Sequence, residues 1–239
     1  IGAYVYIFGG TANNTSSDGF ILRAPLSHFT SQSDWANVGT LPAGAPAAFQ
    51  NFAIIGDTLY FFGGLSADFT TNNTIWSASA QTPWTWAQVG TVTLPSSAPV
   101  AESGVAITGG RVYLFGGVVS SGIATKNICN ASLSDLTTWT CPNAFTATAL
   151  AFPNVAIIGS KAYEMGGTPN NGSTWSSTVQ EASVSNLNIW TPDSTTAGIG
   201  GSGSPVILGT TLYLFGGAGS GGWTSAITSA SVSTALPSS

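Results

Sequence analysis

The sequence predicts an all-β protein built from five copies of one unit. A six-residue motif, hydrophobic-Tyr-hydrophobic-Phe-Gly-Gly, occurs four times, and a fifth copy reads Ala-Tyr-Glu-Met-Gly-Gly. The copies are 50 to 54 residues apart and run through the whole chain without a break in composition, which is typical of a repeat architecture. We therefore expect one domain over residues 1–239. The double glycines lie at residues 9–10, 63–64, 116–117, 166–167 and 216–217.

Two strands of each unit form a hairpin around a short turn. Strand B is the motif itself, and a turn of two or three residues joins it to a preceding apolar strand A. Both are almost continuously apolar, which indicates burial on two faces. We expect the double glycine to end strand B, with positive φ or with close packing against a neighbouring unit. Strand A is predicted at residues 52–56, 104–108, 154–159 and 205–209.

Two further strands complete the unit. Strand C alternates apolar and polar residues, the pattern of a half-buried strand, and strand D is marked by a tryptophan. A tryptophan that recurs once per repeat favours packing between units, and a row of sugar-stacking rings is the alternative. Strand C is predicted at residues 21–27, 75–80, 128–134, 179–185 and 227–233. The strand D markers are Trp35, Trp84 or Trp86, Trp139 and Trp190.

The motif copies, the strand D tryptophans and the period near 50 residues together resemble the kelch-repeat β-propellers, which include the central domain of galactose-oxidase-like proteins. The resemblance covers essentially the whole chain. It implies four-stranded antiparallel blades around a central channel, with strand A innermost. Strand C departs from the family, because Ala-x-hydrophobic-Ser replaces its Tyr-Asp pair, and the Arg and His before strand A are missing. We expect an all-β, five-bladed kelch-like β-propeller with incomplete first and last blades.

Composition excludes some partners. Only 5% of the residues are charged, with 4 basic against 9 acidic, so the basic surface that neutralises nucleic-acid phosphates is missing. No run of 18 or more apolar residues occurs, so we expect no membrane span. The chain begins within the repeat pattern at Ile1-Gly2, without a signal peptide, which favours a processed or incomplete chain.

Sequons and cysteines favour an extracellular or cell-surface setting. Four of the five Asn-x-Ser/Thr sequons fall just after a double glycine, where N-glycans would share one end of a propeller. Two cysteines, Cys129 and Cys141, lie within one repeat. An extracellular setting favours a disulfide that joins strands C and D of the third blade, and two buried thiols are the alternative. The sequons are Asn13, Asn14, Asn72 and Asn171 in that loop and Asn130 in strand C.

The chain offers no recognisable catalytic set, so we expect no enzyme, no metal and no cofactor. Copper chemistry needs several ligands, and the only histidine is His28. Glu164 is unusual because it replaces an apolar residue of the motif. We favour an outward-facing or Lys161-paired carboxylate at Glu164, and the alternative is a channel-facing carboxylate with Glu102. No nucleophile, base and orienting group can be assembled.

Two functions remain open from the sequence. The first is a glycosylated structural or surface unit of an extracellular assembly. By alignment with the other repeats, the chain begins at the end of a strand A and stops before a strand D. We expect either a neighbouring copy, which would give a head-to-tail filament, or a further stretch of the same precursor to supply the closing strands. The second is a glycan- or protein-binding module, in which Trp175 and Trp223 in the B-to-C loops contact the ligand.

Overall fold

The computed structural model describes residues 1–10, 18–29, 31–144, 149–169, 174–196, 200–208, 211–219 and 221–231. These residues are all-β, with one short 3₁₀ helix at Gln32–Asp34. None of their helices is long and apolar enough to cross a membrane. The strands are β1 Tyr4–Phe8, β2 Phe20–Pro25, β3 Ala36–Thr40, β4 Phe52–Ile55, β5 Thr58–Leu65, β6 Thr71–Ser79, β7 Trp86–Thr93, β8 Gly104–Thr108, β9 Arg111–Phe115, β10 Asn127–Ser132, β11 Asp135–Ala144, β12 Asn154–Ile158, β13 Lys161–Met165, β14 Thr178–Ser183, β15 Asn186–Thr196, β16 Ser204–Leu208, β17 Thr211–Gly219 and β18 Gly222–Ser231.

The strands form antiparallel sheets in two compact units. The first unit, Ile1–Pro95, holds sheet 1 (β1 to β3) and sheet 2 (β4 to β7). The second unit, Ser96–Ser239, holds sheet 3 (β8 to β11), sheet 4 (β12 to β15) and sheet 5 (β16 to β18). Sheets 2, 3 and 4 have four strands in the predicted order A, B, C, D. Sheets 1 and 5 have three described strands each, and a single domain over residues 1–239 stays a prediction.

The double glycine lies where strand B meets the segment that leads to the next sheet. Gly9 and Gly10 have φ values of +63° and +127°, a region that other L-residues rarely adopt. The Gly10 amide donates a hydrogen bond to the carbonyl of Ala47 at 2.8 Å. The Gly167 amide likewise donates to the carbonyl of Gly200. A Cβ atom at Gly9 would collide with the Ala47 carbonyl. Both expected reasons for the double glycine, positive φ and close packing, are confirmed.

The expected end of strand B is right for only part of the chain. In sheets 1, 3 and 4, strand B ends at Phe8, Phe115 and Met165, directly before the double glycine. In sheets 2 and 5 the strand continues through it, because a register shift beside the second glycine lets pairing with strand C resume. As a result, Asn72 and Trp223 lie on β6 and β18, and not in the B-to-C loops where the sequence placed them.

The strand D tryptophans pack between neighbouring sheets. Trp86 stacks on Phe61 of its own sheet at 3.9 Å between ring centroids and meets Phe8 of sheet 1 edge-on at 5.4 Å. Trp190 of sheet 4 meets Phe115 of sheet 3 edge-on at 6.2 Å. These contacts confirm the packing interpretation for both tryptophans. Trp84 lies in the turn before β7, so Trp86 is the strand D residue of sheet 2.

A buried indole also needs a hydrogen-bond acceptor, and a backbone carbonyl shortly before it in the chain supplies one. Trp86, Trp139 and Trp190 each donate from Nε1 to the carbonyl three residues earlier, at 2.8 to 2.9 Å. Trp35 differs, because it lies just before β3 and donates to the carbonyl of Phe29 at 3.2 Å. Trp86 and Trp190 therefore combine a contact between sheets with a hydrogen bond to the backbone just before them.

We expect Gly166→Ala to destabilise the fold much more than Gly159→Ala. Both glycines have positive φ, +78° and +59°, so each substitution strains the backbone by about 1–2 kcal/mol. A Cβ atom at Gly166 would also collide with the Gly200 carbonyl, whereas a Cβ atom at Gly159 would have no neighbour within 4 Å. Overpacking raises the total for Gly166→Ala to about 2–5 kcal/mol. Urea unfolding of the two variants measures this difference, and equal losses would contradict it.

Candidate functional site

Cys129 and Cys141 form a disulfide, as predicted. The sulfurs are 2.05 Å apart and join β10 to β11, which are strands C and D of sheet 3. The described residues contain no free cysteine. A loop closed over 12 residues contributes about 3 kcal/mol in the chain-entropy description. The disulfide reinforces the outer hairpin of this sheet and favours an oxidising compartment.

Trp175, one of the two predicted ligand-binding tryptophans, is half-buried and serves as packing. Its ring lies 5.8 Å from the ring of Phe152. It also covers two glycines, since Cβ atoms at Gly200 and Gly201 would lie 2.6 and 2.9 Å from Trp175 atoms. Trp175 is thus less exposed than its place beside glycines indicated, because Gly200 and Gly201 leave space for it. Ligand binding at Trp175 stays a prediction. The side chain of Trp223 lies outside the described residues.

The sequons fall in different environments. Asn72 lies on β6, where its amide nitrogen donates to the carbonyl of Gly44 at 2.9 Å and to Ser66 Oγ at 3.2 Å. Its Oδ1 accepts the backbone N–H of Thr74, the sequon threonine, at 3.0 Å. The side chain is half-buried but reaches solvent. Asn13, Asn14 and Asn171 lie outside the described residues, so their shared loop stays a prediction.

The position of Asn130 in the structure argues against the predicted glycan on its side chain. It lies on β10 with only 4% of its surface exposed, and its Oδ1 accepts a hydrogen bond from Arg111 Nε at 2.5 Å. A glycan on its amide would have to displace neighbouring side chains of the sheet. The sequence alone could not exclude a glycan at Asn130, because a sequon does not show which face of strand C is buried.

Glu164 is buried and is not paired with Lys161, so the favoured interpretation was wrong. The carboxyl group is fully buried on β13, where Oε2 accepts a hydrogen bond from Gln180 at 3.2 Å and Oε1 has no partner. Lys161 pairs with Glu181 instead, at 2.7 Å. Burial raises the pKa of Glu164 to about 8, although the Gln180 hydrogen bond lowers it slightly. Glu164 is therefore neutral over most of the acidic and neutral pH range.

Glu102 is a second partly buried carboxyl group, and it marks a recurring backbone feature. It lies just before β8 with φ of +61°, and burial raises its pKa to about 7. Phe152 and Ser202 occupy the same place before β12 and β16 and have the same sign of φ. The Phe152 amide donates to the Glu102 carbonyl at 2.8 Å, and the Ser202 amide donates to Phe152 at 3.0 Å. These residues link the three sheets of the second unit through their backbones.

The described surface also contains a polar groove on sheet 4, formed where the A-to-B and C-to-D turns meet. The cavity has a volume of about 380 Å³. Lys161 Nζ bridges both carboxylate oxygens of Glu181 at 2.7 and 2.8 Å, and this hydrogen-bonded pair raises the pKa of Lys161. The lining combines this ion pair with hydroxyl groups, one amide and one exposed apolar side chain. The lining residues are Ser160, Lys161, Glu181, Ala182, Ser183, Asn186, Ile189 and Thr191.

The Lys161–Glu181 pair recurs at one position of the repeat. Register places Arg111 and Asn130 of sheet 3 at the same two positions, and they form a hydrogen bond. In sheet 1 the positions hold Tyr4 and Arg23, whose guanidinium carbon lies 4.3 Å from the Tyr4 ring centroid. Three of the four basic residues of the chain, Arg23, Arg111 and Lys161, therefore occupy one of these two repeat positions. The pair was not predicted from the sequence, although Arg111 and Lys161 share a repeat position when the motif copies are aligned.

Comparisons with known proteins identify a fold and no family. No family model matches the chain, and no curated protein matches its sequence. Solved structures do match, and one is the structure of a protein named YjhT, with a TM-score of 0.75. The match covers 98% of this chain and 80% of YjhT at 15% identity. At that identity the similarity concerns the fold alone.

We expect Glu164→Gln to reduce the pH dependence of stability. In the wild type the folded chain keeps a proton on Glu164 that the unfolded chain releases above the usual pKa of 4.5. Its stabilising contribution is therefore complete below about pH 4.5 and declines by about 1.4 kcal/mol per pH unit until about pH 8. Glu102 acts in the same direction up to about pH 7. Glu164→Gln removes the larger of the two contributions.

Urea unfolding at pH 5, 6.5 and 8 measures this effect. The control is Asp57→Asn, which removes an exposed carboxylate in the β4–β5 turn and leaves the wild-type slope in place. A Glu164→Gln variant with the same slope as the wild type would show that Glu164 is ionised in the folded protein.

Proposed function

We propose that the chain is a non-enzymatic, extracellular, five-bladed kelch-like β-propeller that acts as a structural or surface unit of an extracellular assembly. Its sheets would be the blades, with strand A nearest the axis. The five motif copies, the A-to-D strand order and the fold similarity to YjhT support the architecture. The disulfide and the accessible sequon Asn72 support the extracellular setting.

The observation that carries the assembly role is the pairing of β1 and β18. In sheets 2 to 4, strands B and C have a partner strand on both sides. Within the described ranges, β1 pairs only with β2, and β18 pairs only with β17. In the part of the chain that the structure describes, one edge of β1 and one edge of β18 therefore have no partner strand, and β18 spans ten residues. Long edges of this kind favour strand addition by a second chain.

We expect the wild-type protein to self-associate through these edges. Sedimentation velocity over a hundredfold concentration range should show species larger than the monomer. Because charged residues are so few, the association should change little between low and high salt. Hydrogen exchange should show new protection of β1 and β18 amides in the associated form, and β6, which has partners on both sides, is the internal control. A monomer at every concentration would contradict the proposal.

A second candidate function is glycan binding in the groove of sheet 4. Its volume of about 380 Å³ lies in the range of small-molecule sites. Lys161 and Glu181 present a donor and an acceptor side by side, and Ser183 and Asn186 add shorter polar groups. Ile189, which is exposed, supplies an apolar surface for the C–H face of a sugar ring. Neutral oligosaccharides fit this mixture of hydroxyl-binding and apolar groups.

We expect Lys161→Met to weaken the binding of a neutral oligosaccharide by about tenfold or more, since the variant loses a hydrogen bond from a charged donor to the ligand. A glycan array selects the probe, and calorimetric titration measures its affinity. The matched control is Lys126→Met, which removes the same charge from an exposed position outside the groove. An array without binding, or equal effects of both variants, would exclude this function.

A further inference from the structure

The groove of sheet 4 departs from the repeat pattern at the residue before the strand D tryptophan. In sheets 1 to 3 this residue is Asp34, Thr85 or Thr138, each of them polar. In sheet 4 it is Ile189, which is 61% exposed and lines the groove. The fold does not require an apolar side chain here, because polar residues hold the same position in three other sheets. The isoleucine is therefore available to a ligand.

The ion pair of the groove is the second departure from the repeat pattern. Among the five sheets, only sheet 4 has opposite charges at the two pair positions. In sheet 3 the same positions hold Arg111 and Asn130, and Asn130 is buried. The side chains of Lys161 and Glu181 are 49% and 23% exposed, so a ligand can reach both of them. Because an exposed ion pair adds little to stability, the fold does not account for this pair either.

The ion pair keeps hydrogen-bonding capacity for a ligand. Lys161 Nζ donates to Glu181 Oε1 and Oε2 at 2.7 and 2.8 Å, which uses two of its three N–H groups. The carboxylate oxygens also keep lone pairs that Lys161 does not use. A donor and an acceptor thus lie one hydrogen-bond length apart. Neighbouring hydroxyl oxygens of a pyranose ring, when gauche, have about the same separation, so one can accept from Lys161 while the other donates to Glu181.

We propose that the groove recognises neutral pyranose sugars through two vicinal ring hydroxyls, which bind Lys161 and Glu181 while a C–H face of the ring packs on Ile189. This inference rests on the glycan-binding candidate function, and it identifies the sugar group that is recognised and the residues that select it. Asn186, which also lines the groove, accepts the Asn188 backbone N–H at 3.2 Å through Oδ1. Its amide nitrogen is left for a third hydroxyl.

The charges around the groove select against acidic sugars. Glu181 chiefly, and Asp193 more weakly, raise the pKa of Lys161. The ammonium group is therefore already neutralised by Glu181, and Asp193 adds a further negative charge nearby. A sugar with its own carboxylate would meet net repulsion, whereas a neutral sugar would not. Binding of a neutral sugar should also change little with salt, because the ion pair is neutral as a whole.

The ligand test uses the methyl pyranosides of glucose, galactose and mannose with their deoxy analogues. The 3-deoxy analogues have no vicinal pair of ring hydroxyls, whereas the 6-deoxy analogues keep every pair. NMR titration measures the affinities, and shifts of the Ser183 and Asn186 amides locate the sugar in the groove. We expect a parent sugar and its 6-deoxy analogue to bind equally. The 3-deoxy analogue should bind about tenfold or more weakly, since both hydrogen bonds to the ion pair depend on the vicinal hydroxyls.

Protein variants test which residues read the hydroxyl pair. The double variant Lys161→Met with Glu181→Met should bind the parent sugar and its 3-deoxy analogue equally, because neither hydroxyl keeps its partner. Each single variant should give an intermediate ratio of the two affinities. A merely structural role of the ion pair would weaken both sugars by the same factor and leave the ratio unchanged. The matched control, Lys126→Met, lies outside the groove and should keep the wild-type ratio.

Ile189→Thr tests the apolar part of the groove, and it gives sheet 4 the residue type that sheets 2 and 3 have at this position. Its thermal unfolding should match that of the wild type. It should weaken all bound sugars about threefold to tenfold through the loss of apolar surface, without changing the ratio of parent to 3-deoxy analogue. The matched control is Ile123→Thr, at a position that is 65% exposed and outside the groove.

The outcomes separate this inference from the function on which it rests. If neither the methyl pyranosides nor any glycan on an array binds, glycan binding fails and this inference fails with it. If a sugar binds in the groove and its 3-deoxy analogue binds equally well, recognition of the hydroxyl pair is wrong while glycan binding stands. An unchanged affinity ratio in the double variant would overturn the assignment to Lys161 and Glu181.

Discussion

The contact between a double glycine and the carbonyl group that leads into the next sheet is the constraint on which the fold depends. Gly10 binds Ala47 in the first unit, and Gly117 and Gly167 bind Leu150 and Gly200 in the second. The second glycine supplies the positive φ that this hydrogen bond needs, and the first glycine, as at Gly9 and Gly166, leaves no space for a Cβ atom beside the same carbonyl. Within each unit it joins consecutive sheets through their backbones, and Trp86 and Trp190 of strand D pack between neighbouring sheets as well.

The all-β fold and the strand order could be predicted from the sequence because the signals for each strand are local and recur along the chain. The Leu-Tyr-Phe-Phe-Gly-Gly copy at residues 59–64 by itself predicts a hairpin strand that ends in closely packed backbone. Four more copies show that the motif is a repeat and not a chance match. The Cys129–Cys141 pair was also predictable, since two adjacent antiparallel strands bring both cysteines to the same height. These inferences depend on spacing along the chain, which a sequence displays directly.

The wrong predictions concern contacts between sheets, which the spacing of residues along the chain does not reveal. Glu164 is buried because sheet packing covers its face of β13, and nothing in the sequence around it indicates which face that is. Trp175 looked exposed beside glycines, yet Gly200 and Gly201 of another segment leave the space that its ring fills. Asn130 carries a sequon but lies on a covered face. Glu164 and Trp175 were both expected to face solvent, and both are at least half-buried.

Within each unit the described sheets meet their neighbours through the same repeat positions, so the number of sheets is not fixed by any single contact. A duplicated repeat would bring its own double glycine, its own tryptophan and the matching carbonyl segment. It would therefore fit between two existing repeats without changes in either of them. Such a chain can lengthen or shorten during evolution by whole repeats, while point substitutions at the double glycines stay strongly restricted.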